Sequence, residues 1–188
     1  MTLSFDPKTH TYTQDGKVLP SVTQIINRVL PRKWNADEWA MQRGTMVHKA
    51  MHLYLNGGLN FDKLDERIKG RVESLIKAVD QFGWRPRITE ESFKHSVMCY
   101  AGTPDMITEC GCIVDWKASI EWTVQAQLGG YVGLCRANDI KANRVYACKC
   151  NDNGEYKIEA FGPDESFMYW CSIYTIYGYM LKNKIGEV

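Results

Sequence analysis

At 188 residues, 45% hydrophobic and 24% charged, the chain suits one globular domain with a substantial core. A formal net charge of +1 excludes a global positive field, so any surface for a polyanion has to be a local patch. The opening Met1-Thr-Leu-Ser-Phe-Asp-Pro7 forms neither a basic nor an apolar leader, and no stretch reaches the length of a membrane span, so a cytoplasmic protein is expected.

In chain order, His10–Thr13 and Lys17–Leu19 alternate around Asp15-Gly16, a strong turn pair, and predict a small hairpin. Ser21 is placed to cap a helix over Val22–Leu30, which Pro31 ends. Asn35 is the next candidate cap, for a helix through Trp39, Val47, Met51 and Leu55 up to Gly57-Gly58. Asp65–Phe82 reads as a third helix. The period then changes, and Arg87–Val97, Tyr100–Glu109 and Cys112–Ser119 read as three strands. A helix over Thr123–Ala137, strands at Arg144–Cys150 and Tyr156–Phe161, and a last helix from Pro163 to about Lys184 complete the chain.

Helices before and after a strand-rich centre predict a single α/β domain with a mixed central sheet flanked by helices. Within it we expect an N-terminal hairpin and helices (1–83), a core (84–161) and a C-terminal helix (163–184). That last helix is apolar nearly all round, so it is buried deep, lies in an interface or covers the sheet. The seven cysteines are an odd number at scattered spacings, which argues against a disulfide framework. Cys110/Cys112 and Cys148/Cys150 have one residue between them where structural zinc usually wants two, so core packing is the simpler reading.

The chemistry concentrates in Tyr100–Glu109 and Ile113–Ser119. If these strands form a hairpin turning at Cys110-Gly111, Asp105 falls opposite Asp115 or Trp116, depending on register. Directly opposed residues have Cβ atoms about 4.5–5.5 Å apart, and two carboxylates that close repel unless they share a cation or a proton. Asp115 and Lys117 share a face by the two-residue period. Ile113-Val114-Asp115-Trp116-Lys117 looks buried on both faces, where charges are costly unless they pair or bind something. Two acids and an amine at one spot suit phosphodiester hydrolysis. Hard oxygen ligands hold Mg²⁺, and a lysine orients or deprotonates water or offsets developing negative charge.

Pro104-Asp105, nine intervening residues, then Asp115-Trp116-Lys117 spells the PD-(D/E)xK signature. Gly102-Thr-Pro-Asp105 resembles the Gly-x-x-Asp form, Gly44-Thr-Met-Val-His48 the histidine helix and Gln127-Leu-Gly-Gly-Tyr131 the Gln-x-x-x-Tyr motif of RecB-like nucleases. Pro20-Ser-Val-Thr23 is similar to the N-terminal segment of related phage enzymes. The chain thus resembles the PD-(D/E)xK nuclease superfamily, in its RecB-like and phage exonuclease branch, alongside lambda-type and mitochondrial genome-maintenance exonucleases.

The resemblance implies a restriction-endonuclease-like core and a Mg²⁺-dependent DNA exonuclease, with Mn²⁺ as substitute and no iron–sulfur cluster. A structure- or sequence-specific endonuclease on the same core is the second reading, and a non-catalytic DNA-binding module the third. It assigns Asp105, Asp115, His48 and the Trp116 carbonyl as metal ligands and Lys117 as the catalytic lysine. It also places a glutamate before Gly-x-x-Asp. Glu90 and Glu91 both qualify, and Glu90 fits the spacing better. Gln127, Tyr131, Arg43 and Ser21 become candidates for DNA contact, while Ser21 can serve as a helix cap alone and Gln127/Tyr131 as a packing pair. His52, one turn beyond His48, reads as a surface or packing residue. Trp34, Trp39 and Trp84 could stack on unpaired bases, though core packing is the plainer account. By resemblance the partners are DNA, further copies of the chain in a three-subunit ring and a single-strand annealing protein. The setting is phage or mobile-element recombination in a bacterial cytoplasm. Gly129 and Gly130 inside a predicted helix each cost roughly 0.8–1.0 kcal/mol relative to alanine, so a close approach of backbone to sheet or ligand is expected there.

Overall fold

Alternating residues at the N-terminus build three antiparallel strands, β1 (Leu3–Asp6), β2 (Thr11–Gln14) and β3 (Lys17–Leu19), where the sequence predicts two. The computed structural model describes residues 3–7, 9–31 and 37–186. Asp15 and Gly16, both at positive φ (49° and 76°), make the expected turn between β2 and β3.

Helix α1 (Val22–Val29) starts at Ser21 with a reciprocal capping box, Ser21 Oγ accepting from Gln24 N and Gln24 Oε1 from Ser21 N. The expected cap Asn35 lies outside the described residues. Helix α2 (Glu38–Leu55) is capped by Asp37, whose carboxylate accepts from Ala40 N at 2.6 Å. Helix α3 (Glu66–Phe82) begins at Asp65 and ends at Gly83 in the left-handed conformation.

Two of the long predicted strands are broken. Arg87–Val97 divides into β4 (Pro86–Thr89) and β5 (Phe93–His95), and Tyr100–Glu109 into β6 (Tyr100–Gly102) and β7 (Met106–Thr108). The halves join different sheets: β5 pairs with β6, whereas β7 lies between β4 and β8 (Cys112–Lys117). The first break falls at Glu90, whose φ of +51° is incompatible with a continuous strand. The second falls at Thr103–Asp105, where a proline removes a ladder donor.

Helix α4 (Val124–Ala137) connects β8 to β9 (Arg144–Cys150), which run parallel, and β10 (Tyr156–Phe161) returns antiparallel beside β9. The resulting mixed five-stranded sheet, order β10-β9-β8-β7-β4, carries helices on both faces. Ile107, Ile113, Val145 and Ala147 pack with α1, α4 and α5 (Pro163–Lys182), whereas Met106, Val114, Trp116 and Cys148 pack with α2 and α3. The chain is therefore one α/β unit with a mixed central sheet. Among the described residues, no helix is long and apolar enough to cross a membrane.

The paired glycines of α4 correct an expectation. The close approach they permit is to other helices rather than to the sheet or a ligand. A Cβ on Gly129 would lie 1.9 Å from the Ser166 carbonyl oxygen of α5, and one on Gly130 2.6 Å from Val22 of α1. α5 buries Ser166, Trp170 and Ile173 against this layer and leaves Met168, Ile176 and Tyr179 exposed on its other side.

Gly129→Ala is therefore expected to lower the unfolding free energy by about 3 kcal/mol or more, since backbone cannot yield as a side chain can. Gly178→Ala, also helical but with nothing within 4 Å of its new Cβ, is expected to gain up to about 1 kcal/mol. Urea midpoints of the two variants, moving in opposite directions, check the assignment.

Candidate metal centre and cleft

The two strand breaks lie side by side. Glu90 N donates to the Asp105 carbonyl at 3.2 Å, so the glutamate leaving β4 and the aspartate entering β7 are tied through the backbone. The β7–β8 ladder pairs Met106 with Val114 and Ile107 with Ile113, and one step further that register sets Asp105 against Asp115. Of the two registers compatible with the sequence, the ladder has the one that opposes the carboxylates. By strand alternation Asp105, Asp115 and Lys117 share the face of Ile113, while Trp116 turns its indole into the opposite core.

Asp105 is buried and uses both oxygens. Oδ2 accepts the Trp116 backbone N–H at 2.6 Å, and Oδ1 lies 3.0 Å from His48 Nδ1. Glu90 Oε1 stands 3.5 Å from the same imidazole nitrogen yet has no hydrogen bond and is shielded from water. Ligand atoms of His48, Glu90 and Asp105 all lie within 4.8 Å of one another. Neighbouring ligands on an octahedral ion with bonds of about 2.1 Å are about 3 Å apart, close to the 3.0 and 3.5 Å that separate His48 Nδ1 from Asp105 and Glu90. The unsatisfied Glu90 oxygen is the kind of atom such an ion would satisfy.

Asp115 falls outside that tight trio. It is 1% exposed, and its Oδ2 lies against the Lys117 ammonium, close enough for an ion pair but without a well-angled hydrogen bond. Burial pushes the Asp115 carboxyl up to about 6; Lys117 opposes the shift and Asp105 adds to it. Burial alone would pull His48 down, but Asp105 and Glu90 outweigh it and hold the imidazole well above its ordinary value.

A cleft of about 510 Å³ opens over these groups. Gln127 and Tyr131 line it from α4, with Gln127 Nε2 donating to the Tyr131 hydroxyl at 2.9 Å, and burial with the two aspartates holds that phenol well above its usual range. Ser21 also lines the cleft, although its hydroxyl is already engaged as the α1 cap. Arg43 does not line it; that side chain borders a small adjoining hollow with Arg71 and Lys117. Glu91 is exposed and stands apart from the trio that Glu90 joins.

Of the tryptophans considered for base contact, Trp34 lies outside the described residues. Trp39 is covered by the Arg67 guanidinium at 4.2 Å, and Trp84 is buried in the α2/α3 core. Cys148 and Cys150 are buried in that core too. Sequence reasoning passed over Phe5, His10 and Tyr12, which line the cleft, and His52, read as a surface or packing residue, lines it too. His52 Nδ1 is 3.0 Å from Thr89 Oγ1, beside Glu90. For Phe5, His10 and Tyr12 the alternation of the N-terminal segment was the only signal, and it says nothing about what those strands face.

No protein-family profile matches the sequence, and no curated protein does. Solved structures do. A Eubacterium rectale protein provisionally named an exonuclease superposes with a TM-score of 0.57 at 17% identity, over 90% of this chain and 76% of its own. This chain shares its fold. The alkaline exonuclease LHK-Exo of Laribacter hongkongensis is more distant. Its complex with dAMP gives a TM-score of 0.46 at 11% identity over 89% of each chain, and a second structure gives 0.42 at 11% over 88% of each.

The raised Asp115 carboxyl has a consequence for stability without metal. Its folded pKa, about 6, exceeds the ordinary 3.8, so its contribution is fully present below about pH 4 and is lost as pH rises through 6. In EDTA, Asp115→Asn is therefore expected to gain stability on the wild type as pH rises from 4 to 6.5. Urea unfolding across that range measures the difference.

Proposed function

We propose that the protein is a divalent-metal-dependent nuclease of the PD-(D/E)xK type, hydrolysing DNA phosphodiester bonds from strand ends. The observation that carries this reading is the cluster of half-buried His48 and Glu90 with buried Asp105, their ligand atoms within 4.8 Å of one another, next to an Asp115–Lys117 pair in the same cleft. A fold shared with a protein named as an exonuclease is consistent with it.

In this reading His48, Glu90 and Asp105 hold Mg²⁺, with Asp115 and the Trp116 carbonyl completing the set. When bound, Mg²⁺ supplies Lewis acidity to the phosphoryl group and makes a nearby water more acidic. The rest of the chemistry belongs to side chains. Lys117 sits where an ammonium orients the attacking water or offsets charge on the phosphoryl oxygens. Asp115, paired with that ammonium, keeps it beside the cation that the same carboxylate would help to hold. Asp105, anchored by Trp116 N–H, fixes the distance between the histidine helix and the lysine strand. Tyr131, held protonated, has a hydroxyl to offer a phosphate oxygen, with Gln127 setting its direction. Phage or mobile-element DNA processing is the setting this reading suggests.

End-labelled linear DNA and closed circular DNA, incubated with Mg²⁺ or EDTA, test the reading directly. Mononucleotide release from linear DNA with Mg²⁺ is expected. Cutting of circles would favour a specific endonuclease on the same fold, and no cleavage of either would leave only a binding protein. Lys117→Ala is expected to cost about 10²- to 10⁴-fold in rate while the far-ultraviolet circular dichroism stays unchanged.

Cation binding is checked separately from catalysis. Mg²⁺ at a hundredfold excess over its Kd contributes about 2.7 kcal/mol, a rise of roughly 5–10 °C in Tm for a chain of this size. The rise is expected to vanish in EDTA and to shrink in His48→Ala. An unchanged Mg²⁺ response in that variant would remove His48 from the ligand set.

A further inference from the structure

The wall of the cleft facing the metal centre is aromatic and belongs to neither hydrophobic core. Phe5 and Tyr12 are directly opposed across β1 and β2, and their rings stack at 4.6 Å with an interplanar angle of 29°. His10 closes against Phe5 edge-on at 5.2 Å. All three line the cleft, yet none joins either buried apolar cluster. Tyr12 is 2% exposed and serves as the footing, while Phe5 is half-buried and His10 exposed.

That footing is tied to the centre. The Tyr12 hydroxyl is 2.8 Å from Thr103 Oγ1, and Thr103 Oγ1 is 2.8 Å from Ser92 Oγ. Thr103 opens the short segment that ends at Asp105, and Ser92 follows Glu90 by two residues. The aromatic wall is thus fixed, through one hydroxyl chain, to both segments that carry the acidic groups. A mobile apolar flap would not need such an anchor.

We propose that Phe5 and His10 form a stacking subsite for an unpaired nucleobase, the one adjoining the phosphate held at the His48–Glu90–Asp105 centre. This rests on the nuclease reading and narrows its substrate to a single-stranded or frayed end. The two ends of the cleft match the two ends of a nucleotide: a cation site for the phosphate and ring faces for the base. A cleft of about 510 Å³ is in the range that encloses one small-molecule ligand. A base can lie against a protein ring only after it has left its partner strand, and stacking on an aromatic side chain offsets that unpairing. Stacking has no donor–acceptor code, so tolerance of all four bases follows.

The test measures binding instead of cleavage. Fluorescence anisotropy in Ca²⁺ buffer compares short single-stranded oligonucleotides carrying either a natural terminal nucleotide or an abasic one, for wild type, Phe5→Leu and Phe5→Trp. Removing the base is expected to weaken wild-type binding about tenfold, to matter little for Phe5→Leu, and to matter again for Phe5→Trp. Phe5→Leu preserves apolar bulk, and its Tm shows whether the strands stay folded. An equal effect of base removal in all three proteins, or none in the wild type, would overturn the subsite. If linear DNA is still cleaved with Mg²⁺, that outcome removes the stacking subsite alone. If neither cleavage nor oligonucleotide binding is found, the nuclease reading falls with it.

Discussion

Two buried carboxylates, Asp105 and Asp115, stand one step beyond the last paired residues of the β7–β8 ladder, and the rest of the molecule is arranged around keeping them there. Buried anions are costly unless each finds compensating charge or hydrogen bonds. Asp105 takes a backbone N–H from the next strand and an imidazole from α2, and Asp115 takes the ammonium two residues on. Glu90 adds a third acid with an unsatisfied oxygen. Such a cluster has more negative charge than its own partners satisfy, which is the condition under which a cation contributes to both folding and chemistry.

Placing these groups together required interrupting the strands that carry them. A continuous strand through Glu90 would have held the 86–95 segment in one ladder, as would a continuous strand through Asp105 for 100–108. Instead each chain leaves the main sheet at the same level and pairs again in a separate two-stranded ribbon. The cleft opens at that fork. The left-handed backbone of Glu90 is part of the cost, and strain of this kind is characteristic of functional positions.

The layer above the site is held by contacts without side-chain bulk. Gly129 and Gly130 let α5 and α1 close onto α4, and Gly133 leaves room for the Tyr100 hydroxyl, which donates to the Gly130 carbonyl at 2.9 Å. With that helix fixed, Gln127 and Tyr131 hang over the acidic cluster from a rigid support. Packing far from the chemistry therefore sets the direction of two cleft side chains.

Periodicity, caps and motif order made much of this legible beforehand. The Ser21 cap, the helix from Asp65, the strand from Cys112, the α4 and α5 segments and the mixed sheet all follow from local pattern, because hydrogen-bond satisfaction at helix ends and alternating burial are local demands. The pairing of Asp115 with Lys117 on one face follows from the same two-residue period. What local pattern could not decide was the splitting of the two long strands, the choice of Glu90 over Glu91 beside His48, and the partners of the α4 glycines. It was equally silent on the aromatic wall supplied by Phe5 and His10. Each depends on which segment arrives from a distant part of the chain. A one-dimensional period records which residues must be buried, and only the tertiary arrangement decides against what.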